Sequence, residues 1–324
     1  MKIGILTFHA ARNYGAVLQC RCLYEVLRGL GHDVSIIDYR PDYLTAPYKL
    51  WKKSYLKHPM TMLKVASKSA GAIRRNQGFE EFEQEMLLSP FGQGGFDAIF
   101  YGSDQIWNRN LTNGVDPVFY AGAPFAAGAI NIAYAASDGG VVPEPEEKLA
   151  IRKYLHNFSH IGVRESGMVE RMDDEGIPAV LNLDPVLLAG RQVVDNLCSA
   201  PVCSEPYVLT YEAIDNPAVA DKARRIAAER GLKVISISRT PYSPGTNRFS
   251  PREFVALFRD ADYVVTTSFH GTALSLLYDR EYEYIHVGTC ADERVDSLLN
   301  EFENGNTLER MRADSIEYIK KSLL

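Results

Sequence analysis

The sequence predicts an α/β protein of two doubly wound parallel-sheet domains facing a cleft, and three observations predict it. Short β-branched apolar runs alternate with segments of helical periodicity almost throughout. The rhythm closes at Leu183-Asp184-Pro185 and restarts at Tyr207. The length, 324 residues, suits two domains of roughly 100–200 residues each.

The elements follow in order. Lys2–Phe8 is a strand, and after a polar loop Leu23, Val26, Leu27 and Leu30 recur at helical spacing within Ala16–Leu30. Gly31 is a stop signal for that helix. Asp33–Tyr39, Asp97–Tyr101, Asn131–Ala136, His160–Arg164 and Ala179–Leu183 continue as strands, with helices at 146–157 and 166–175. Strands alternating with helices give parallel βαβ units. Residues 189–206 are polar, contain Pro and Cys, and read as a hinge. Then come strands at Tyr207–Tyr211, Lys233–Ile237, Tyr263–Thr267 and Tyr282–Val287, with helices at 217–230, 251–260 and 271–278. Ser250-Pro251-Arg252-Glu253 is a capping box with Pro at the first helical position. A last helix spans about Leu308 to Leu323. The expected domains are therefore 1–190, with an insertion at 43–79, and 200–305, with residues 306–324 crossing back onto the first.

Composition narrows the function classes. Hydrophobic residues make up 46% and charged residues 23%, which predicts a packed core. A net charge of -6 lacks the basic footprint of a nucleic-acid binder. Five cysteines without CxxC or zinc-ligand spacing give neither a disulfide framework nor a metal site. No apolar stretch reaches membrane-spanning length, and the N-terminus MKIGILTF has no signal-peptide layout. A cytoplasmic location is expected. One segment departs from the acidic average: residues 43–79 carry eight Lys or Arg and no acid, interleaved with Tyr43, Tyr48, Trp51 and Tyr55. That pattern fits either a solvated helical insertion or a peripheral contact with anionic membrane at its inner face.

Four loops follow predicted strands and begin helices, where N–H groups attract anions. The first, HAARNYGAVLQ, carries Asn13, Tyr14 and Gly15. The second, YGSDQIWN, carries Gly102, Ser103, Asp104, Gln105 and Trp107. AASDG at 135–139 is the third, and TTSFHGT, with His270, Gly271 and Thr272, is the fourth. None matches GxGxxG or GxxxxGK[ST], so neither a dinucleotide fingerprint nor a P-loop is present. Ser103 and Asp104 have helix capping as an alternative role, and Trp107 has core packing. His270, just beyond a buried strand and beside Gly, can bind or protonate an anion. Arg164 ends the HIGV strand with a fixed cation, for which a salt bridge is the structural alternative.

These blocks together, with LGHDVSIIDYRP, IAYAASDG, IGVRE, LDPVLL and DYVVTTSFHGTALSLLY, resemble the polysaccharide pyruvyl transferases. The resemblance runs from residue 3 to about 287, and GSDQIWN and SFHGT are its most specific pieces. It implies two Rossmann-like domains in a GT-B-like pair, and phosphoenolpyruvate as donor with no other cofactor. The product it implies is a pyruvate ketal on a sugar of a surface polysaccharide or its lipid-linked oligosaccharide precursor. The His matching His270 then sits at the donor site, and the Arg matching Arg164 contacts the donor. Some members carry Arg where this chain has Ser268, so Ser268 lies at a position of phosphate contact. Arg239 or Arg248 is a candidate substitute for that missing cation, and neither assignment follows from spacing.

The chemistry asks for a proton donor, a cradle for a trianionic donor and a base for sugar hydroxyls. His270 is expected to be the acid or phosphate ligand, Arg164 a carboxylate or phosphate fork, and Asp104 the base. Gly271 and Thr272 add helix N-terminal N–H groups. The first domain is expected to take the acceptor and the second the donor. The rival expectations are a nucleotide-sugar-dependent glycosyltransferase on the same plan and a non-catalytic anion- or sugar-binding protein.

Overall fold

The computed structural model describes residues 1–46, 59–238 and 248–324, with the backbone alone for 59–70. The chain forms two compact units. The first comprises Met1–Leu44, Met86–Gly190 and Gly288–Leu324, and the second Thr45–Glu85 and Arg191–Val287. Two segments therefore depart from the expected bounds. Residues 45–85, which take in most of the insertion expected at 43–79 in the first domain, belong to the second unit, and residues 288–305 belong to the first rather than the second.

The first unit is built on a parallel seven-stranded sheet, ordered β3-β2-β1-β4-β5-β6-β7. The strands are β1 (Lys2–Leu6), β2 (Asp33–Asp38), β3 (Leu88–Pro90), β4 (Ala98–Asp104), β5 (Ile130–Ala136), β6 (His160–Val163) and β7 (Val180–Leu181). The central strand β4, AIFYGSD, is buried at every position, as a parallel strand covered on both faces must be. Its register with β1 pairs Ile3 with Ala98 and Leu6 with Tyr101. Around the sheet lie α1 (Tyr14–Gly29), the single turn α2 (Asp42–Thr45), α4 (Pro145–Leu155), α5 (Ser166–Asp174), α10 (Glu293–Glu303) and α11 (Leu308–Ser322). Ile3, Ile5, Leu23, Leu27, Phe100 and Tyr134 form the core, and Ile319 of α11 packs into it.

The second unit has four parallel strands ordered β11-β10-β8-β9: β8 (Tyr207–Tyr211), β9 (Lys233–Ser236), β10 (Tyr263–Thr266) and β11 (Glu281–Tyr284). Its helices are α3 (Pro59–Gln84), α7 (Pro217–Arg230), α8 (Pro251–Asp260) and α9 (Phe269–Leu277). The Ser250–Glu253 capping box forms at α8. That helix buries Phe254, Val255, Leu257 and Phe258. Helix α6 (Pro185–Asn196) is broken at Gly190, where φ is 77° and ψ 167°, and the unit boundary falls there. No helix among the described residues is long and apolar enough to cross a membrane.

Each sheet has one topological switch point, where ligands of such folds bind beyond the carboxyl ends of the strands. In the first unit it lies between β1 and β4, and in the second between β8 and β10.

Candidate functional site

The loop residues expected to act fall into two groups, one at each switch point. In the first unit, Asn13 caps α1, its side chain accepting the Ala16 N–H at 3.2 Å, and Tyr14 and Gly15 are buried in the first turn. Gln19, one turn on, donates to Thr7 Oγ1 at 3.0 Å, and that hydroxyl donates to the Ser103 carbonyl at 2.8 Å. The loops after β1 and β4 are thereby tied together. Gly102 has φ 114°, and a Cβ there would meet the Tyr134 carbonyl oxygen at 2.4 Å, so only glycine lets β4 pass β5 at this point. Ser103 is fully buried, and its Oγ has no hydrogen-bond partner among the described residues. Asp104 accepts the Gln105 N–H at 2.8 Å, and the Gln105 side chain in turn accepts from Asn108.

Arg164 is 4% exposed and sits among carboxylates. It donates to Asp184 at 2.9 Å, lies 3.4 Å from Glu165 and 3.9 Å from Asp104. Burial works against the guanidinium charge, and Glu165, Asp184 and Asp104 outweigh it, lifting its pKa above the ordinary arginine value. Glu165 is fully buried; desolvation pushes its carboxyl up, against Arg164 and a 2.6 Å hydrogen bond from Ser137. The AASDG loop is held by this network, since Gly139 N–H donates to Ser137 Oγ at 3.0 Å. Trp107 stacks on Tyr120 with centroids 5.2 Å apart at 11°, and its Nε1 donates to the Phe119 carbonyl at 2.9 Å. Its geometry is that of packing: one face and the only polar atom are already used.

At the second unit's switch point, β10 runs into α9. Ser268 is its N-cap, accepting the Gly271 N–H at 3.4 Å, while its own N–H donates to Thr266 Oγ1 at 3.0 Å. The serine expected at a phosphate contact is therefore occupied in holding the turn, 5% exposed. His270 is in the first turn of α9, 7% exposed, its ring edge-on to Phe269 at 5.4 Å. Gly271 sits against β10: a Cβ would lie 2.3 Å from Thr266 Oγ1. Thr272 Oγ1 donates back to the Ser268 carbonyl at 3.3 Å. Of the two candidate substitute cations, Arg248 is exposed with its guanidinium over the Phe249 ring at 5.8 Å, and Arg239 lies outside the described residues.

Sequence reasoning missed four carboxylates. Asp184 and Glu165 surround Arg164, and Asp38 holds His9 at 2.9 Å at the end of β2. Glu212 follows β8, opposite Thr267 across the switch point, and is 6% exposed. Its Oε2 accepts the Asn216 N–H at 3.0 Å, and its Oε1 has no hydrogen-bond partner among the described residues. For Glu165, Asp184 and Glu212 the available signal was position, an acid directly after a predicted strand. Residues 47–58 of the basic segment 43–79 lie outside the described residues, and 59–70 are described by their backbone alone. Of its cations, Arg74 pairs with Glu253 and Arg75 lies over the Phe79 ring at 4.6 Å.

Among solved structures the chain is similar to a putative UDP-N-acetylglucosamine 2-epimerase from Listeria monocytogenes. That match has 13% identity and a TM-score of 0.48, covering 99% of this chain and 89% of that one. It is also similar to UDP-GlcNAc 2-epimerase from Neisseria meningitidis, at 12% identity and TM-score 0.47, covering 100% and 99%. A third is the heptosyltransferase WaaC of E. coli, at 12% identity and TM-score 0.42, covering 94% and 100%. No curated protein sequence matches the chain. Residues 13–281 match the polysaccharide pyruvyl transferase family, a span that includes every candidate loop residue, and the chain belongs to that family.

Proposed function

We propose that the chain transfers the pyruvyl unit of phosphoenolpyruvate to a pair of sugar hydroxyls, closing a ketal and releasing phosphate. The observation that carries this reading is His270, nine-tenths buried in the first turn of α9 at the carboxyl end of β10. A helix N-terminus offers N–H groups and a favourable dipole to a phosphate, and an imidazole there can bind the phosphate or give up a proton. Protonation at C3 of the enol phosphate makes C2 electrophilic. One sugar hydroxyl then adds to C2, and its neighbour displaces phosphate, each losing its proton to a base.

We assign His270 to the donor phosphate and to C3 protonation, with the second unit as the donor side. Asp104 is assigned to the acceptor hydroxyl, with the first unit as the acceptor side. The resemblance implies a donor contact for Arg164, but three carboxylates already surround its guanidinium. That setting supports a different role, positioning Asp104 at the end of β4. Family membership supports a polysaccharide or its lipid-linked precursor as acceptor.

The test is calorimetric titration of the purified protein with phosphoenolpyruvate, beside His270→Ala and with nucleotide sugars as a separate arm. The expected result is donor binding that is lost in a folded His270→Ala variant. Binding that His270→Ala leaves unchanged would sink the assignment, and a response to a nucleotide sugar alone would replace the donor.

A further inference from the structure

The first unit holds a cavity of about 260 Å³ that the proposed chemistry does not use. It lies between α4 and α5. Ile151 and Leu155 line it from α4, and Met168 and Met172 from α5. Each pair is spaced i, i+4, so each helix turns one face inward. The stacked Trp107 and Tyr120 also line it. The lining is mostly apolar, and the two methionines are unbranched side chains that reshape around a guest. Trp107 Nε1 offers a guest no hydrogen bond, because it is already committed to the Phe119 carbonyl.

The mouth has a different character. Val142 lines the cavity yet is 60% exposed, and Leu149 on α4 is 78% exposed. Apolar surface thus continues from the cavity onto the outside of the protein. On the same helix Lys148, a lining residue, is exposed, as are Arg152 one turn later and Lys153. Among the described residues none of these three cations makes an ion pair. Of the acids that line the cavity, Asp138 is taken up by Arg171 through both oxygens at 2.9 and 3.0 Å. Asp174 and Glu175 lie at the end of α5. On α4 the acids Glu146 and Glu147 stand in the first turn and the cations follow them, so the cationic edge is the stretch from Lys148 to Lys153.

We infer that this cavity binds the hydrocarbon chain of an anionic single-chain amphiphile. The chain lies between α4 and α5 and its head meets Lys148 and Arg152. The inference is independent of the donor and of the residues assigned to pyruvyl transfer. It rests on an apolar cavity, an apolar path out of it and unpaired cations beside that path. Each further methylene buried raises affinity about fourfold until the cavity is full.

Tryptophan fluorescence tests it directly. The chain has two tryptophans, Trp51 and Trp107, so Trp51→Phe leaves the cavity residue as sole reporter. Titration of that variant with ω-bromoalkanoates of increasing length is expected to quench Trp107 saturably. Affinity should rise about fourfold per methylene and then plateau. Ile151→Phe, which fills the cavity, is expected to abolish the quenching, with its fold checked by circular dichroism. Lys148→Glu, on the exposed helix face, is expected to weaken the bromoalkanoates by about fivefold and leave the neutral ω-bromoalkanols unchanged. Absence of saturable quenching, affinity indifferent to chain length, or an equal effect of Lys148→Glu on both heads would overturn the proposal. Should Ile151→Phe fail to fold, the length series and Lys148→Glu decide.

Discussion

At the end of β2, Asp38 accepts from His9 at 2.9 Å and from Arg40 at 2.5 Å. The His9 hydrogen bond is the largest influence on its carboxyl, and with Arg40 it outweighs burial, lowering the pKa from 3.8 to about 2. A carboxyl depressed in the folded state adds stability above its unfolded pKa, and that stability drains as pH falls through the folded value. The window therefore runs from about pH 4 down to about pH 2. Asp38→Asn is expected to remove this increment, so urea unfolding followed across that window should lose part of its pH slope. An unchanged slope in the variant would mean that Asp38 titrates alike in both states. His9 stood inside a loop that the sequence singled out, while its partner did not. A lone carboxylate after a strand reads equally as a cap or as a partner of something distant in sequence. Asp184, 20 residues from the Arg164 it neutralises, was hidden for the same reason. The loops were legible because each combined glycine, small polar residues and a strand end; the ion pairs among them depend on strand order.

One such strand order governs the contact of β10 with α9. Thr266 Oγ1 donates to the Tyr211 carbonyl at 2.6 Å and accepts the Ser268 N–H at 3.0 Å, joining both strands of the switch point to the helix cap. Gly271 lies on this hydroxyl, with no room for a methyl group. Gly271→Ala is expected to push the first turn of α9 away from β10, costing about 2 kcal/mol and moving His270 with it. Thermal melting should show the loss, and phosphoenolpyruvate affinity should fall in the protein that remains folded. A variant that melts with the wild type would place the helix farther from the strand than described. The elements were otherwise readable where apolar runs were long. β3 escaped notice because it is three residues long, ends in Pro90 and sits at the sheet edge, where proline is tolerated. α10 carries Val295, Leu298, Leu299 and Phe302 at helical spacing, a signal masked by reading that stretch as the end of a domain. α6 was lost in a segment judged by its cysteines and prolines rather than by Leu187, Leu188, Val193 and Val194.

Across the whole molecule the chain leaves the first unit after Leu44, returns at Met86, leaves again after Gly190 and returns at Gly288. The first core is thus assembled from three stretches, and its last contribution comes from the C-terminal helix. Ile319 is fully buried in the same cluster as Ile3, Leu27 and Tyr134. Tyr318 donates to the Ala133 carbonyl at 2.8 Å, Ser315 accepts the Leu183 N–H at 2.9 Å, and Arg312 donates to the Leu187 carbonyl at 3.0 Å. α11 is therefore a structural member of the first unit, far from β1 in sequence and in contact with its core. Removing three carbons there leaves a cavity that the sheet cannot collapse around, so Ile319→Ala is expected to cost about 3 kcal/mol. Hydrogen exchange separates local from global loss. Amides of β1, β4 and β5 should exchange faster in the variant, while those of β8 and β10 keep their wild-type protection. Equal acceleration in both sheets would show instead that the two units open as a single cooperative body, coupled through the four places where the chain crosses between them.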